Sequence, residues 1–248
     1  MDNNSDKTIV VRDLVKQFGT FRAVDGISFE VDKGEIFGFL GANGAGKTTA
    51  IKMLCGLSRP SGGQAFVAGY NVARQAEQVK RRIGYMSQLF SLYNDLTVWE
   101  NIQLFAGLYG LDRETTARKG DQMLRYLNFT KQRDSLVSDI PLGWRQKLAF
   151  MVATIQDPEI VFLDEPTSGV DPVTRRQFWE LIYDAVDRGT TIFVTTHFMD
   201  EAEYCNRVSI MVDGQIRALG SVRELEQKFN APTMSDVFRK VASTATRQ

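Results

Sequence analysis

Apolar residues alternate with polar ones along the first part of the chain. "TIVVRDL" (8–14), "AVDGISFEV" (23–31) and "EIFGFLG" (35–41) read as β-strands. The third is a nearly continuous apolar run, the pattern of a strand covered on both faces. It leads through a glycine-rich turn into the helical pattern "KTTAIKMLCGL". A further β segment, "GGQAFVAGYNV", precedes a charged helix around Glu77 to Arg82 and the strand "IGYMSQ". From Leu92 to Ile155 the apolar spacing changes to three and four, which predicts helices in "DLTVWENIQLFAGLYGL", "RETTARKGDQMLRYLNF" and "GWRQKLAFMVATIQ". Strands and helices then alternate again through "EIVFLDE", "PVTRRQFWELIYDAVDRG", "TTIFVTTH", "MDEAEYCN" and "RVSIMVDG". The expectation is a single α/β domain over 1–248. Its core comprises 1–90, with an N-terminal antiparallel β-subdomain, and 157–248, and an α-helical insertion occupies 91–156. The last residues, "ASTATRQ", read as a frayed end.

Composition removes several alternatives. Lys plus Arg and Asp plus Glu number 30 each in 248 residues, so the formal net charge is zero. That argues against whole-domain attraction to nucleic acid, and no nucleic-acid partner is expected. Cys55 and Cys205 are far apart, and His197 is the only histidine, so neither a disulfide framework nor a zinc site is expected. Cys55, inside "IKMLCGL", reads as a small buried hydrophobe. No apolar run approaches ~18 residues, and the N-terminus lacks a signal-peptide pattern. A soluble, cytoplasmic protein is expected.

"GANGAGKT", Gly41 to Thr48, satisfies G-x-x-x-x-G-K-[ST] and lies between a predicted strand and a predicted helix, the context the motif demands. Gly41, Gly44 and Gly46 let the backbone curl so that successive N–H groups point at phosphate oxygens. The helix start adds the positive end of its dipole. Lys47 is expected to bring a mobile ammonium to the β- and γ-phosphates, and Thr48 a hydroxyl to Mg²⁺. Asn43, Ala45 and Thr49 complete the nucleotide-binding candidates of this turn. The fold class is therefore α/β with a P-loop NTPase core.

"EIVFLDEP" ends an apolar run in two carboxylates. Asp164 can hold the Mg²⁺ shell while Glu165 faces a water in line with the γ-phosphate, strand alternation aiming the neighbours apart. Taken alone this pair is a weak signal; beside the phosphate turn it is a strong one.

These segments, in this order and over essentially the whole chain, resemble the nucleotide-binding subunit of ABC transporters. "FLDEPTSGVD" is the most specific match. The resemblance implies ATP and Mg²⁺ as cofactors, ATP hydrolysis coupled to transport, and a head-to-tail dimer. It makes Asp164 the Mg²⁺ aspartate, Glu165 the catalytic glutamate, and Ser168 to Asp171 a dimer-contacting loop. Gln88 in "YMSQ" resembles the glutamine that contacts the metal and signals to the membrane partner. His197 in "VTTH" resembles the switch histidine at the γ-phosphate and catalytic water. Phe18 in "VKQFGTFRAV" stands where an aromatic, usually tyrosine, stacks on adenine; its other reading is a core aromatic of the β-subdomain.

One departure stands out. Where the family writes L-S-G-G-Q, a loop that donates hydrogen bonds in trans to the opposite γ-phosphate, this chain has Ile140, Pro141, Leu142, Gly143 and Trp144. Pro141 has neither hydroxyl nor N–H, Leu142 restricts close approach, and Gly143 survives. Proline suits the first turn of a helix, so the helix and its dipole are expected to persist. Loss of one placed donor costs on the order of 100- to 1,000-fold in rate. The expectation is a weak activator of the opposite site, paired with a different ATPase subunit or half rather than with itself. The variant resembles one half, the second, of bacterial exporters with tandem ATPases. The other readings are an ATP-binding subunit with weak or no hydrolysis alone, and a non-transport relative.

"LFSLYNDLTVWENIQLFAGLYGL" resembles the groove for a coupling helix of a membrane permease, and its apolar residues read equally as internal core. The C-terminal "SVRELEQKFNAPTMSDVFRKVA" resembles the tail of the multidrug or ABC-2-type exporter branch. The implied location is peripheral, on the inner face of the cell membrane through the permease.

Overall fold

The computed structural model describes residues 6–88 and 92–243. The chain opens with β1 (Lys7–Phe18), β2 (Phe21–Asp32) and β3 (Ile36–Leu40), followed by α1 (Lys47–Leu54). Then come β4 (Gly62–Val67), β5 (Tyr70–Asn71), α2 (Ala76–Lys80) and β6 (Ile83–Met86). The helices α3 (Val98–Leu108), α4 (Arg113–Tyr126) and α5 (Leu142–Ala153) precede β7 (Ile160–Asp164), α6 (Pro172–Asp187) and β8 (Thr191–Thr196). The chain continues with β9 (Arg207–Val212), β10 (Gln215–Gly220), α7 (Val222–Lys228) and α8 (Met234–Ser243). Residues 89–91, where the expected permease-facing stretch and the insertion begin, and 244–248, in the expected frayed end, lie outside the described residues.

Two sheets carry the fold. The antiparallel one runs β2-β1-β4-β5; the other runs β10-β9-β3-β8-β7-β6, parallel from β9 to β6. β3, β7 and β8 are buried along their whole length, which is why their sequences are apolar runs rather than alternations. β2 does alternate: Ile27, Phe29 and Val31 point inward, Ser28 and Glu30 outward. Phe29 stacks on Phe37 at 5.4 Å, and Phe37, Phe39 and Phe162 all pack on Phe193 within 5.6 Å. This aromatic layer joins the two sheets into one core that also takes in α1 and Cys55. On the opposite face α5 and α6 cover β7 and β8 through Phe150, Phe178 and Trp179. α3, α4 and α5 share a separate core around Ile102, Met123, Phe129 and Leu148.

Two segments differ from expectation. "MDEAEYCN" forms a short 3₁₀ segment, Met199–Tyr204, rather than a regular helix or strand. β10 was missed, although Asp213 and Gly214, with φ of 50° and 79°, form the left-handed two-residue turn that Asp-Gly between apolar runs signals. Among the described residues, no helix is long and apolar enough to cross a membrane.

Candidate functional site

β3 delivers the chain into a turn that only glycine can make. A Cβ on Gly41 would lie 2.5 Å from the carbonyl oxygen of Met211, and one on Gly46 2.3 Å from that of Ala23. Gly46 also has φ 106°, which side chains disfavour. α1 begins at Lys47 with no side-chain cap, so its start offers backbone N–H groups to the loop. Ala45 donates its N–H to Ala42 at 3.2 Å and accepts from the Gly214 N–H at 3.0 Å, which ties the turn to the β9–β10 hairpin. Asn43 and Gly44 are exposed at the tip, and Thr48 and Thr49 are half-buried.

Lys47 turns inward, toward the loop carbonyls and a carboxylate. It is 4% exposed and donates to the carbonyls of Gly41 (2.8 Å) and Ala42 (3.2 Å), while its Nζ lies 3.1 Å from Glu165 Oε1. The turn's carbonyls and a buried carboxylate draw the cation inward, because a charge out of water needs both an opposite charge and hydrogen bonds.

Asp164 closes β7. Its Oδ1 accepts from Thr195 Oγ1 (2.7 Å) and Thr48 Oγ1 (3.2 Å), which brings α1, β7 and β8 to one point. Burial raises the Asp164 pKa above the usual carboxylate range, against the lowering effect of those hydroxyls. Glu165 leaves the sheet with φ 50°, so a left-handed backbone step, and not strand alternation alone, separates the two carboxylates. Its N–H donates to Thr195 Oγ1 at 3.0 Å. Gln88 Nε2 donates to Glu165 Oε2 at 3.1 Å, and His197 Nδ1 lies 2.9 Å from the same oxygen. Gln88 thus meets the site through Glu165, the residue next to Asp164. Lys47, Gln88 and His197 reach Glu165 from 118, 77 and 32 residues away.

Phe18 sits at the end of β1, opposite Phe21 in the ladder, and is 55% exposed with Lys16 Nζ 5.1 Å from its ring centre. Its alternative role as a core aromatic is excluded. The stretch left open between core and surface divides: Val98, Ile102 and Ala106 are buried, while Tyr93, Leu104 and Leu108 are exposed.

At the departure from the family pattern, α5 starts at Leu142. Pro141 is the residue before the helix, with ψ 146°, rather than part of its first turn, because an extended ψ cannot continue a helix. Its carbonyl accepts from the N–H groups of Trp144 and Arg145, both at 3.0 Å, and no side chain caps the helix. Leu142 is exposed and reaches Gly169, where a Cβ would stand 3.5 Å from its Cδ2. A Cβ on Gly143 would stand 2.3 Å from Thr174 Cγ2, so α5 and α6 meet there without room for a side chain. Trp144 lies flat on Phe129 at 4.4 Å, which anchors the loop to the helical core. Gln146 donates to the Ser168 carbonyl at 3.1 Å. Asp171 caps α6, accepting from the N–H groups of Val173 and Thr174 at 3.0 Å.

Thr195 was not among the residues singled out in the sequence. A threonine facing along β8 beside "VFLDE" carried a signal only once the strand pairing Asp164↔Thr195 was known. Among the described residues no group of three or more His, Cys, Asp or Glu could enclose a metal ion. Thr48 and Asp164 do bring oxygen donors together, the kind of partial set a hard cation completes with phosphate oxygens and water.

A family model described as ABC transporter matches residues 24–168. The chain is 44% identical over 238 residues to the "Probable multidrug ABC transporter ATP-binding protein YbhF" of Escherichia coli K12, covering 94% of this chain and 41% of that protein. It is 40% identical over 226 residues to human "ATP-binding cassette sub-family A member 2", covering 91% of this chain and 9% of that one. The chain thus spans less than half the length of these relatives. A solved "ATP binding subunit of ABC transporter" superposes with a TM-score of 0.85 at 27% identity over 94% of this chain and 99% of that one. The ADP conformation of an ATP-binding cassette gives 0.82 at 22% identity, covering 94% and 98%, a likeness of fold.

Proposed function

Because the chain belongs to the family of ABC transporter ATP-binding domains, we propose that it binds and hydrolyses Mg-ATP to drive transport through a separate membrane-spanning permease. The observation that carries this is the meeting of Lys47, Gln88 and His197 on the buried Glu165 carboxylate, beside the Thr48–Asp164 contact. Glu165 neutralises Lys47. A triphosphate in the turn formed by Gly41 to Thr49 offers Lys47 a stronger anionic partner, and its departure frees Glu165 Oε1 to polarise the attacking water. His197 orients the same carboxylate through its other oxygen. Thr48, Asp164 and Gln88 are the side chains that would hold Mg²⁺, which would neutralise phosphate charge. Phe18 offers an exposed face for the adenine.

On this assignment the catalytic half lies in 1–90 and 157–248, and 91–156 forms the half that serves the opposite site. Pro141, Leu142 and Gly143, with the loop from Ser168 to Asp171, would face a second nucleotide-binding unit. Without the serine hydroxyl they are poor donors, which supports a different partner over a second copy. The printed name of the Escherichia coli relative supports export. Exposed Tyr93, Leu104 and Leu108 suit a permease helix, placing the chain on the inner membrane face.

The test compares hydrolysis by the chain alone with that of a mixture containing its partner, using Glu165→Gln as the reference. Glu165→Gln is expected to keep ATP binding and to lose about 100- to 1,000-fold in turnover. Turnover unchanged by Glu165→Gln refutes the catalytic assignment. Vigorous hydrolysis by the chain alone refutes the asymmetric pair.

A further inference from the structure

We infer that Arg175, Phe198 and Glu201 form a brace that positions His197 by tying it to the start of α6 and to the segment after Glu165. Arg175 stands in the first turn of α6, directly after the loop assigned above to the dimer contact. Its guanidinium lies 4.3 Å from the centre of the Phe198 ring, a cation over an aromatic face. Phe198 follows His197, and the two rings are 4.1 Å apart. The Arg175 Nε lies 3.5 Å from Glu201 Oε1, and that oxygen accepts from Thr167 Oγ1 at 2.5 Å. Thr167 is two residues beyond Glu165. The loops after β7 and β8, which carry the two groups closest to the reacting phosphate, are therefore fastened to each other and to α6.

Energetics favour a functional brace over incidental packing. Glu201 is fully buried, and burial raises its pKa, so the position carries a desolvation cost that a leucine would avoid. Arg175 Nε is itself buried with no hydrogen-bond partner, so the contact to Glu201 is ionic and not closed into a hydrogen bond. A small shift of α6 toward the 3₁₀ segment Met199–Tyr204 would close it, and the Phe198 ring would carry the shift to His197. Displacement of the loop from Ser168 to Asp171 thereby reaches the histidine of the same chain. None of the three side chains touches nucleotide in this scheme, so they are positioning residues. The inference rests on the role given to His197 above.

His197 is the only histidine, so its imidazole Cε1–H resonance is a single, assignable NMR line. Arg175→Ala and Phe198→Leu are expected to move that line in the nucleotide-free protein, and Arg175→Lys, which keeps the cation but not the planar stack, to move it less. Turnover of the full chain with its partner should fall about 10- to 100-fold in Arg175→Ala, with the KM for ATP and binding of fluorescent ATP unchanged. A His197 line that stays in place in Arg175→Ala overturns the brace, since the Phe198→Leu shift also contains the loss of the ring current itself. If Arg175→Ala does not fold, Arg175→Lys decides by the same line, an unmoved line overturning the brace. Because the resonance is read without nucleotide, its result stands apart from the ATPase assignment: a moved line with no hydrolysis in the wild type refutes that assignment and leaves the brace.

Discussion

Lys47 and Glu165 are 4% and 7% exposed and each meets several partners, whereas Pro141 and Leu142 lie exposed at a helix start that no side chain caps. Both regions are glycine-bearing turns leading into helices, and both would face phosphate. The first is over-determined: a strand buried on both faces, two glycines pressed on backbone carbonyls and a neutralised charge pair leave little freedom. The second is held firmly from behind, by Trp144 on Phe129 and Gly143 on Thr174, yet offers few donors in front. The contrast separates two properties usually read together. A loop can be rigidly placed and still lack the groups that would make its placement catalytic.

The largest effect expected on this contrast comes from Lys47→Ala. It leaves Glu165 buried without its cation and the triphosphate without its ammonium, so ATP turnover should fall at least about 1,000-fold in a coupled phosphate-release assay. A loss no greater than that of a surface lysine would break the distinction between the two turns.

Restoring donors to the other turn is the complementary change. The double substitution Pro141→Ser and Leu142→Gly is expected to raise hydrolysis by a pair of copies of this chain by about 10- to 100-fold. The Trp144–Phe129 stack already holds the loop, so the repair needs no new anchoring. An unchanged rate would mean that the missing donors are not what limits this loop.

Two glycine substitutions compare the rigidity of the turns directly. Gly46→Ala meets a backbone oxygen and a left-handed φ, and should cost at least about 2 kcal/mol. Gly143→Ala meets the Thr174 side chain, but from an ordinary φ and without a backbone oxygen in the way, and should cost about 1 to 2 kcal/mol. Thermal unfolding resolves the difference, at roughly 2–4 °C per kcal/mol for a chain of this size.

The smallest effect concerns pH. Asp164 has its folded pKa raised by burial, so protonation is favoured in the folded state and ionisation near neutral pH opposes folding. Stability from this group is fully present below the ordinary Asp pKa and is lost as pH rises through the raised value. Asp164→Asn should therefore unfold at higher temperature than the wild type at neutral pH, with the advantage disappearing in acid, while hydrolysis is lost. An advantage that persists unchanged below the ordinary Asp range would show that the carboxylate's charge is not its cause.

Much of the molecule was legible before any coordinates. The buried strands β3, β7 and β8 follow from apolar runs, α3 to α5 from three-and-four spacing, and the phosphate turn from glycines between a strand and a helix. The assignments at Gly41, Lys47, Thr48, Asp164 and Glu165 used residue type and local spacing, which are properties of the chain alone. What stayed hidden were directions and long-range meetings. Spacing could not tell that Lys47 turns inward, that Phe18 faces out, or that Gln88 holds Glu165. Thr195, Arg175 and Glu201 give no local signal at all, since each acquires its role from a residue at least 23 positions away, the shortest separation being Arg175 to Phe198.

The sequence by itself determined the alternation of strands and helices, the glycine-rich turn after β3 and the departure at Pro141–Leu142, because hydrophobic period, glycine freedom and the missing proline N–H are local properties. Only the tertiary structure decided which carboxylate Lys47 neutralises, which faces of α3 and β1 remain open, and how His197 is fastened to α6. Those depend on burial and on contacts across the sheet, where the desolvation of a charge selects its partner.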